Sequence, residues 1–343
     1  MKLKDVCSFF SGGTPSSTNK SYYDGDIPFI RSGEIGAGST ELFLSELGLN
    51  NSSAKIVEVG DLLLALYGAT SGQIAISKIK GAINQAILCI RSSHNNVFFK
   101  STWEKRVGKI LQAFLQGGQG NLSAEIVKSL TFYFPKMQEQ NKIAYLISLI
   151  EERIATQNRI IEKYESLIKG IAKQLAKHTP NTRIADCVEC HSSTLQENQL
   201  DGEGIYKVYG ANGLCGYTKT PSISGDSILI VKDGSGVGNV SYVNGDYSVI
   251  GTSNYLTAKE SFSLRYIYYC LMVFNFQPYK TGMAIPHIYF KDYGKAKIYC
   301  PKREQQENIA AILYIIEHKI NMEKSIKDLF ISQKKYLLRS MFK

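Results

Sequence analysis

The chain contains its own ending twice. From Pro135 it reads PKMQEQNKIAYLISLIEERIATQNRIIEKYESLIKGIAKQLAK, and from Pro301 it reads PKREQQENIAAILYIIEHKINMEKSIKDLFISQKKYLLRSMFK. The two segments align without a gap at an offset of 166 residues, up to the last residue, Lys343. Pro135 falls on Pro301, Gln140 on Gln306, Ile143 on Ile309, Ala144 on Ala310, Ile150 on Ile316, Glu151 on Glu317 and Ile154 on Ile320. Self-similarity at one fixed period means that one supersecondary unit is used twice, so the fold must place two equivalent bodies, each ending in this segment.

Both segments read as long helices. In the first, Ile143, Leu146, Ile150, Ile154, Ile161, Tyr164, Ile168, Ile171 and Leu175 recur at steps of three and four, with one gap at Gln157. In the second, Ile309, Ile312, Ile316, Ile320, Phe330, Leu337 and Met341 form a similar stripe. Neither copy contains Gly or Pro after its first residue until Gly170. A single apolar stripe sustained over many turns must pair with another stripe. The nearest partner is the other copy, and equivalent bodies arranged by a pseudo-two-fold set the helices antiparallel. A helix of ~40 residues at 1.5 Å per residue reaches up to ~60 Å. The expected spacer helices are 138–180 and 304–343.

The preceding segments repeat more loosely. LKDVCSFFSGGTP from Leu3 is similar to IADCVECHSSTLQ from Ile184, and GDLLLALYGATSGQIAISKIKGAINQAILCI from Gly60 to GDSILIVKDGSGVGNVSYVNGDYSVIGTSNYL from Gly225. Each of the latter pair holds Gly-Asp, an apolar run, a Gly/Ser-rich turn, a second run, another turn and a third run, which is β-meander or barrel patterning. A short apolar helical stretch follows in each copy (98–115 and 264–276), then a Gly-containing loop (116–121 and 280–287). The expected fold is α+β: two similar β-rich domains, 1–137 and 181–303, separated by two long antiparallel helices forming a coiled-coil spacer, a pseudo-two-fold internal repeat. At 343 residues, 44% hydrophobic and 20% charged, the chain has apolar matter for two cores.

The formal net charge of +10 favours a polyanionic partner, because Lys and Arg neutralise phosphates and release counterions. Both helical segments carry mixed charge, and the larger part of the basic surplus lies elsewhere. Two Gly-rich turns are candidate contacts. The first is 67–73, with Tyr67, Thr70, Ser71 and Gln73; the second is 232–239, with Lys232, Ser235 and Asn239. Glycine permits close backbone approach, and exposed N–H groups can hold a phosphate oxygen. The structural alternative is a hairpin turn in which Gly only supplies unusual dihedrals. Two polar loops come next: one holds Gln116, Gln119 and Asn121, the other Lys280, Thr281 and His287. Gln and Asn pair with adenine edges and Lys reaches guanine acceptors; the alternative is a solvated connection. Arg31, Tyr209, Asn212, Tyr217 and Lys219 lie on neighbouring loop-like stretches and are further candidates.

Signs of catalysis are poor. There is no GxxxxGK[ST] loop, no GxGxxG, no GxSxG, and no N/D-P-P-[YF] tetrapeptide of a methyltransferase. Cys187-Val188-Glu189-Cys190-His191 matches a haem-attachment pattern, but Cys187 and Cys190 fall opposite Val6 and Phe9, which makes them apolar positions. No second CxxC or HxxxH completes a zinc set. Glu317-His318-Lys319 resembles a nuclease fragment, yet it sits on the striped helix and reads as a solvated face. No metal and no catalytic residue is expected in this chain. With no run of ~18 apolar residues and no signal peptide, a cytoplasmic protein without membrane contact is expected, its seven Cys reduced.

The chain resembles the specificity subunit of type I restriction–modification systems along essentially its whole length. The resemblance is carried by GGTPSS at 12–17, YYDGDIPFIRSGEI at 22–35, LYGATSGQIAI at 66–76 and INQAI at 83–87. Above all it is carried by the duplicated helix start at Pro135 and Pro301. The second domain departs from the first, with KVYGANG at 207–213 in place of PFIRSGEIG. The resemblance implies two target-recognition domains, each reading a few base pairs of a bipartite site in double-stranded DNA. It implies a helix pair that sets the spacing and docks two methyltransferase (modification) subunits, through stripes such as Ile143, Ile150, Ile154, Ile161, Ile168, Ile309, Ile316, Ile320, Phe330 and Leu337. S-adenosylmethionine would belong to those subunits, and ATP and Mg²⁺ to an optional restriction/translocase subunit. Two other readings stand beside this one. A self-contained nuclease or methyltransferase would need a metal or cofactor site. A coiled-coil protein-interaction scaffold without DNA contact would leave the basic balance unused.

Overall fold

A computed structural model describes residues 1–114, 121–200, 204–282 and 285–341. The chain forms two compact units: Met1–Thr156 with Lys327–Lys343, and Gln157–Ile326. In the first unit the strands are β1 (Cys7–Ser11), β2 (Ile27–Ile30), β3 (Leu42–Leu44), β4 (Lys55–Val57), β5 (Leu62–Ala65), β6 (Ile74–Ile76), β7 (Gly81–Ile83) and β8 (Ile87–Ser92). Helix α1 (Asn96–Phe114) follows, and then the long helix α2 (Met137–Leu175). In the second unit the strands are β9 (Val188–Ser192), β10 (Tyr206–Gly210), β11 (Gly213–Thr218), β12 (Ile223–Ser224), β13 (Ser227–Val231), β14 (Val240–Val243), β15 (Asp246–Val249) and β16 (Ser253–Ala258). Helix α3 (Leu264–Met272) and the long helix α4 (Arg303–Met341) complete it.

Each unit has two four-stranded sheets, and their orders match strand for strand: β1-β8-β5-β6 and β3-β2-β7-β4 in the first, β9-β16-β13-β14 and β11-β10-β15-β12 in the second. In both units one pair is parallel, β2 with β7 and β10 with β15. Of the expected meander or barrel patterning, the simple three-strand meander is corrected here. β5 and β6 form a hairpin, but β7 leaves for the other sheet and β8 returns to pair with β5. The reason is visible in β7, whose three residues Gly81, Ala82 and Ile83 are all buried. A strand covered on both faces belongs between neighbours, here β2 and β4.

Strand alternation builds the layers. β5 reads Leu62-Leu63-Leu64-Ala65 and is buried throughout. Leu62 and Leu64 join Leu88, Ile90, Phe98, Phe99 and Trp103 in the core beneath α1, whereas Leu63 and Ala65 join Ile30, Val57 and Ile83 between the sheets. The second unit repeats the arrangement. Ile228 and Ile230 pack with Tyr266, Ile267 and Leu271 of α3, and Leu229 packs with Tyr247 and Val249 of the other sheet.

The long helices pair antiparallel within each unit. In the first, Lys334 meets Glu151 at 2.7 Å while Leu338 and Met341 share a core with Ile143, Ala144 and Ile147. In the second, Lys324 meets Glu165 at 3.1 Å while Leu175 packs into the core that holds Ala310. All ten expected seam residues are covered: Ile143, Ile150, Ile161, Ile168 and Ile320 are buried, and Ile154, Ile309, Ile316, Phe330 and Leu337 half-buried. The stripe itself needs one correction, made identically in both copies. Leu146 and Ile312 are exposed (37% and 57%), and the seam uses the next residues, Ile147 and Leu313, both at 0%. Full burial of such a side chain is worth ~2 kcal/mol.

Candidate nucleic-acid interface

Between β5 and β6 the chain folds into a tight polar turn. Gly68 and Gly72 take φ of 79° and 82° there, a region that favours glycine. Four backbone bonds close the turn: Ala65 N to Gln73 O (2.9 Å), Gly72 N to Ala65 O (2.9 Å), Gln73 N to Thr70 O (2.9 Å) and Ser71 N to Gly68 O (3.1 Å). The Trp103 indole donates to Gly72 O at 2.8 Å from beneath, and the Ser71 hydroxyl donates to Leu66 O at 3.0 Å. Leu66 also bonds Ala86 O through its N–H and Leu122 N through its carbonyl. The turn is therefore fixed on three sides.

The turn of the second unit is the same object moved by 166 residues. Val231 N bonds Asn239 O, Gly238 N bonds Val231 O, Asn239 N bonds Gly236 O and Val237 N bonds Gly234 O. Lys232 N bonds Thr252 O and Ile288 N bonds Lys232 O, the counterparts of the Leu66 bonds. Gly234 and Gly238 have φ of 94° and 90°. The sequence alignment from Gly60 and Gly225, at an offset of 165, misses this register by one residue. The second copy gains one residue, Ser227, at the start of β13, so Gln73 corresponds to Asn239 and Tyr67 to Asp233.

The candidates separate into those the fold gathers and those it does not. Tyr67, Thr70, Ser71 and Gln73 share the first turn, and exposed Asn121 precedes Leu122, which bonds to it. Gln116 and Gln119 lie outside the described residues. In the second unit Lys232, Ser235 and Asn239 share the turn. Pro286 and His287 lie against it, and Thr281 is joined to them, because His287 bridges both Asp233 and Thr281 and Gly234 N bonds Pro286 O. Lys280 directly precedes that bridge. Tyr209 and Asn212 join Asn239 around a cleft of about 340 Å³. Tyr217 and Lys219 stand at the other end of the β10–β11 hairpin, where Tyr217 pairs with Lys207, and so do not join that cleft. Sequence reasoning passes over Ser253, which also lines the cleft; its buried hydroxyl has no hydrogen-bond partner among the described residues. A serine at the start of the mixed strand Ser253–Ala258 gives no sequence signal.

Arg31 is occupied by its own neighbourhood. Its guanidinium pairs with Glu34 at 3.1 Å and Glu41 at 2.5 Å. Burial pushes the Glu34 carboxyl up, but the Arg31 side chain and the backbone N–H groups of Glu41 and Arg31 outweigh it and hold the group at about 2. In the second unit the equivalent place is a tight hairpin in which Gly210 faces Gly213.

The remaining motifs are absorbed by packing. Cys187 is buried in the core, 3.7 Å from Cys300, and His191 stacks on Tyr255 and bonds Thr257. Glu317 accepts from Arg265 and Tyr269. Among the described residues no group of His, Cys, Asp and Glu could hold a metal ion, and no helix is long and apolar enough to cross a membrane.

The family model for the type I restriction modification DNA specificity domain matches twice, over residues 1–166 and 181–329. The chain belongs to that family. The chain is similar to the type I restriction enzyme EcoprrI specificity subunit of Escherichia coli, 22% identical over 91% of this chain and 86% of that one. The MjaIX specificity subunit of Methanocaldococcus jannaschii is 27% identical over 47% of this chain and 40% of its own length. The fold is shared with the crystal structure of a type I restriction-modification S subunit from M. genitalium. The TM-score is 0.67 at 14% identity, covering 100% of this chain and 95% of that one. A chain from a study of complex assembly and conformational transition of the type I R-M system also matches, at a TM-score of 0.56 and 15% identity, over 100% and 97% of the two chains. As a DNA specificity family member with two matched regions, the chain serves sequence recognition through its two β-rich units.

Proposed function

We propose that each β-rich unit reads one half of a bipartite site in double-stranded DNA, with the two long helices setting the distance between halves. The observation that carries this reading is the pair of Gly-fixed turns, identical in backbone and different in side chains. One scaffold used twice with different polar residues is what two unlike half-sites require. Bases are distinguished by hydrogen bonds from such side chains in the grooves, while basic residues hold the phosphates. Two readers on one chain gain effective concentration over one. At 39 residues each, the helices are ~58 Å long.

The chain acts in the cytoplasm without catalysis of its own. Two modification subunits bring S-adenosylmethionine, and a restriction/translocase subunit would bring ATP and Mg²⁺. A repeated surface supports two docking partners: Leu146 and Leu149 on α2 and Ile312 and Ile315 on α4 are exposed apolar residues at the same 166-residue offset. The test is co-expression with the cognate modification subunit and base-resolution mapping of plasmid methylation. A split motif with a fixed gap, absent without this chain, is the expected result. No new methylation and no co-purifying subunit would overturn the reading in favour of a scaffold that ignores DNA.

A further inference from the structure

We infer that Gln73 and Asn239 are specificity-determining residues that each read one adenine, at equivalent places in the two half-sites. The inference rests on the DNA-reading function proposed above and names two of the residues that perform it.

The two side chains occupy the same position of the same turn. Each residue closes its turn through its own backbone, N–H to Thr70 O in one case and to Gly236 O in the other, and each carbonyl accepts from the first residue of the turn, Ala65 or Val231. The main-chain N–H at this point is therefore already used, and any donor offered to a ligand comes from the side chain. Both side chains are exposed, and neither carboxamide makes a hydrogen bond among the described residues. Both turns are held rigidly, by Trp103 under Gly72 and by the close approach of Phe276 to Gly238. A rigid base with a free tip loses little conformational entropy on binding.

Apart from the paired glycines, Gly68 with Gly234 and Gly72 with Gly238, the other matched positions of the turns differ in chemistry. Tyr67 corresponds to Asp233, Thr70 to Gly236 and Ser71 to Val237. At the exit of the turn alone the polar chemistry is kept, as one donor and one acceptor on a planar amide. That combination fits the adenine edge in the major groove, where N6–H₂ donates and N7 accepts. Half-sites that otherwise differ would therefore share one A·T pair in the same place relative to each unit. Asn is shorter than Gln by one methylene, and the cleft formed by Tyr209, Asn212 and Ser253 beside Asn239 gives the base edge a closer approach there.

The test uses the full chain with its modification subunit. Methylation motifs are mapped at base resolution for wild type, Gln73→Ala, Asn239→Ala, Gln73→Glu and Asn239→Asp. The acid variants keep size and shape but can only accept, which suits the N4 donor of cytosine rather than adenine. Each Ala variant is expected to relax one position of one half-site, an A·T pair, by roughly tenfold or more, leaving the other half intact. Each acid variant should lose the adenine preference at that same position. An unchanged motif, a uniform loss across both halves, or relaxation at a G·C pair overturns the inference. If wild type itself yields no bipartite motif, the DNA-reading function fails first and this inference falls with it.

Discussion

Gln140 and Gln306, 166 residues apart, make the same pair of bonds. Each side-chain nitrogen donates to the carbonyl of the proline five residues back, Pro135 or Pro301, at 2.8 Å. Each side-chain oxygen accepts a backbone N–H from the segment ahead of α1 or α3: Asn95 at 3.1 Å and Ser263 at 2.9 Å. At 1% and 2% exposure, both amides are buried where the β-rich body meets its long helix.

Replacing either glutamine with leucine strands a backbone N–H and a carbonyl in that joint. Each of Gln140→Leu and Gln306→Leu should cost about 2 kcal/mol. The exposed neighbour Gln138→Leu should change stability by under ~0.5 kcal/mol. Thermal unfolding of the three variants decides it, and equal effects would mean that the buried bonds contribute nothing.

Gly72→Ala and Gly238→Ala test whether the turns need their unusual backbone. A Cβ at Gly72 would sit 2.7 Å from Val107 Cγ2, and one at Gly238 would sit 3.0 Å from Phe276 Cβ, both at positive φ. Each change should destabilise by ~1–3 kcal/mol. Gly108→Ala, in α1 with open space around it, should instead stabilise by up to ~1 kcal/mol. Denaturant unfolding reads the opposite signs directly.

Glu151 gives the fold a pH dependence. Burial alone would raise its carboxyl, but hydrogen bonds and charge from Lys100 and Lys334 win and hold it below the ordinary range. A carboxylate depressed by folding adds stability above its unfolded value of ~4.3, and that contribution fades as pH falls through the folded value. Glu151→Gln should cost ~1–2 kcal/mol at pH 7, leaving two ammonium groups with Glu104 alone, and the gap from wild type should close at strongly acid pH. Urea unfolding at pH 7 and pH 3 measures both; a gap that does not depend on pH would assign the loss to packing.

The exposed apolar pairs on the long helices should matter for assembly and little for folding. Leu149→Asp with Ile315→Asp is expected to abolish co-purification of the modification subunit while the melting temperature stays within a few degrees. Retained co-purification would place the docking surface elsewhere on the chain.

The gross organisation was legible because the repeat and the 3.6-residue period are both written in the helices. The errors have local causes. Ile147 and Leu313 are adjacent to apolar Leu146 and Ile312, and periodicity alone cannot choose between neighbours that both fit a stripe. The register of the turns was not legible because the offset changes from 165 to 166 at one extra residue, Ser227, which a loose similarity cannot place. β7 was read as the next strand of a meander because Gly81-Ala82-Ile83 shows no alternation to say which sheet receives it. Arg31 looked available for DNA because nothing short-range announces that Glu41, ten residues on, helps to neutralise it.

The glutamine joint has one further consequence. The bonds that both copies share take from the body only one main-chain N–H, and the proline and the glutamine both come from the helix segment; the first copy adds one side-chain contact, Gln140 Nε2 to His94 Nδ1 at 3.1 Å. Side chains of the β-rich body can therefore change while the shared bonds of the joint stay intact. A gene for such a chain could exchange one body for a foreign one at the helix start and still yield a protein whose parts engage, so new DNA targets would arise by recombination rather than by slow refinement of individual contacts.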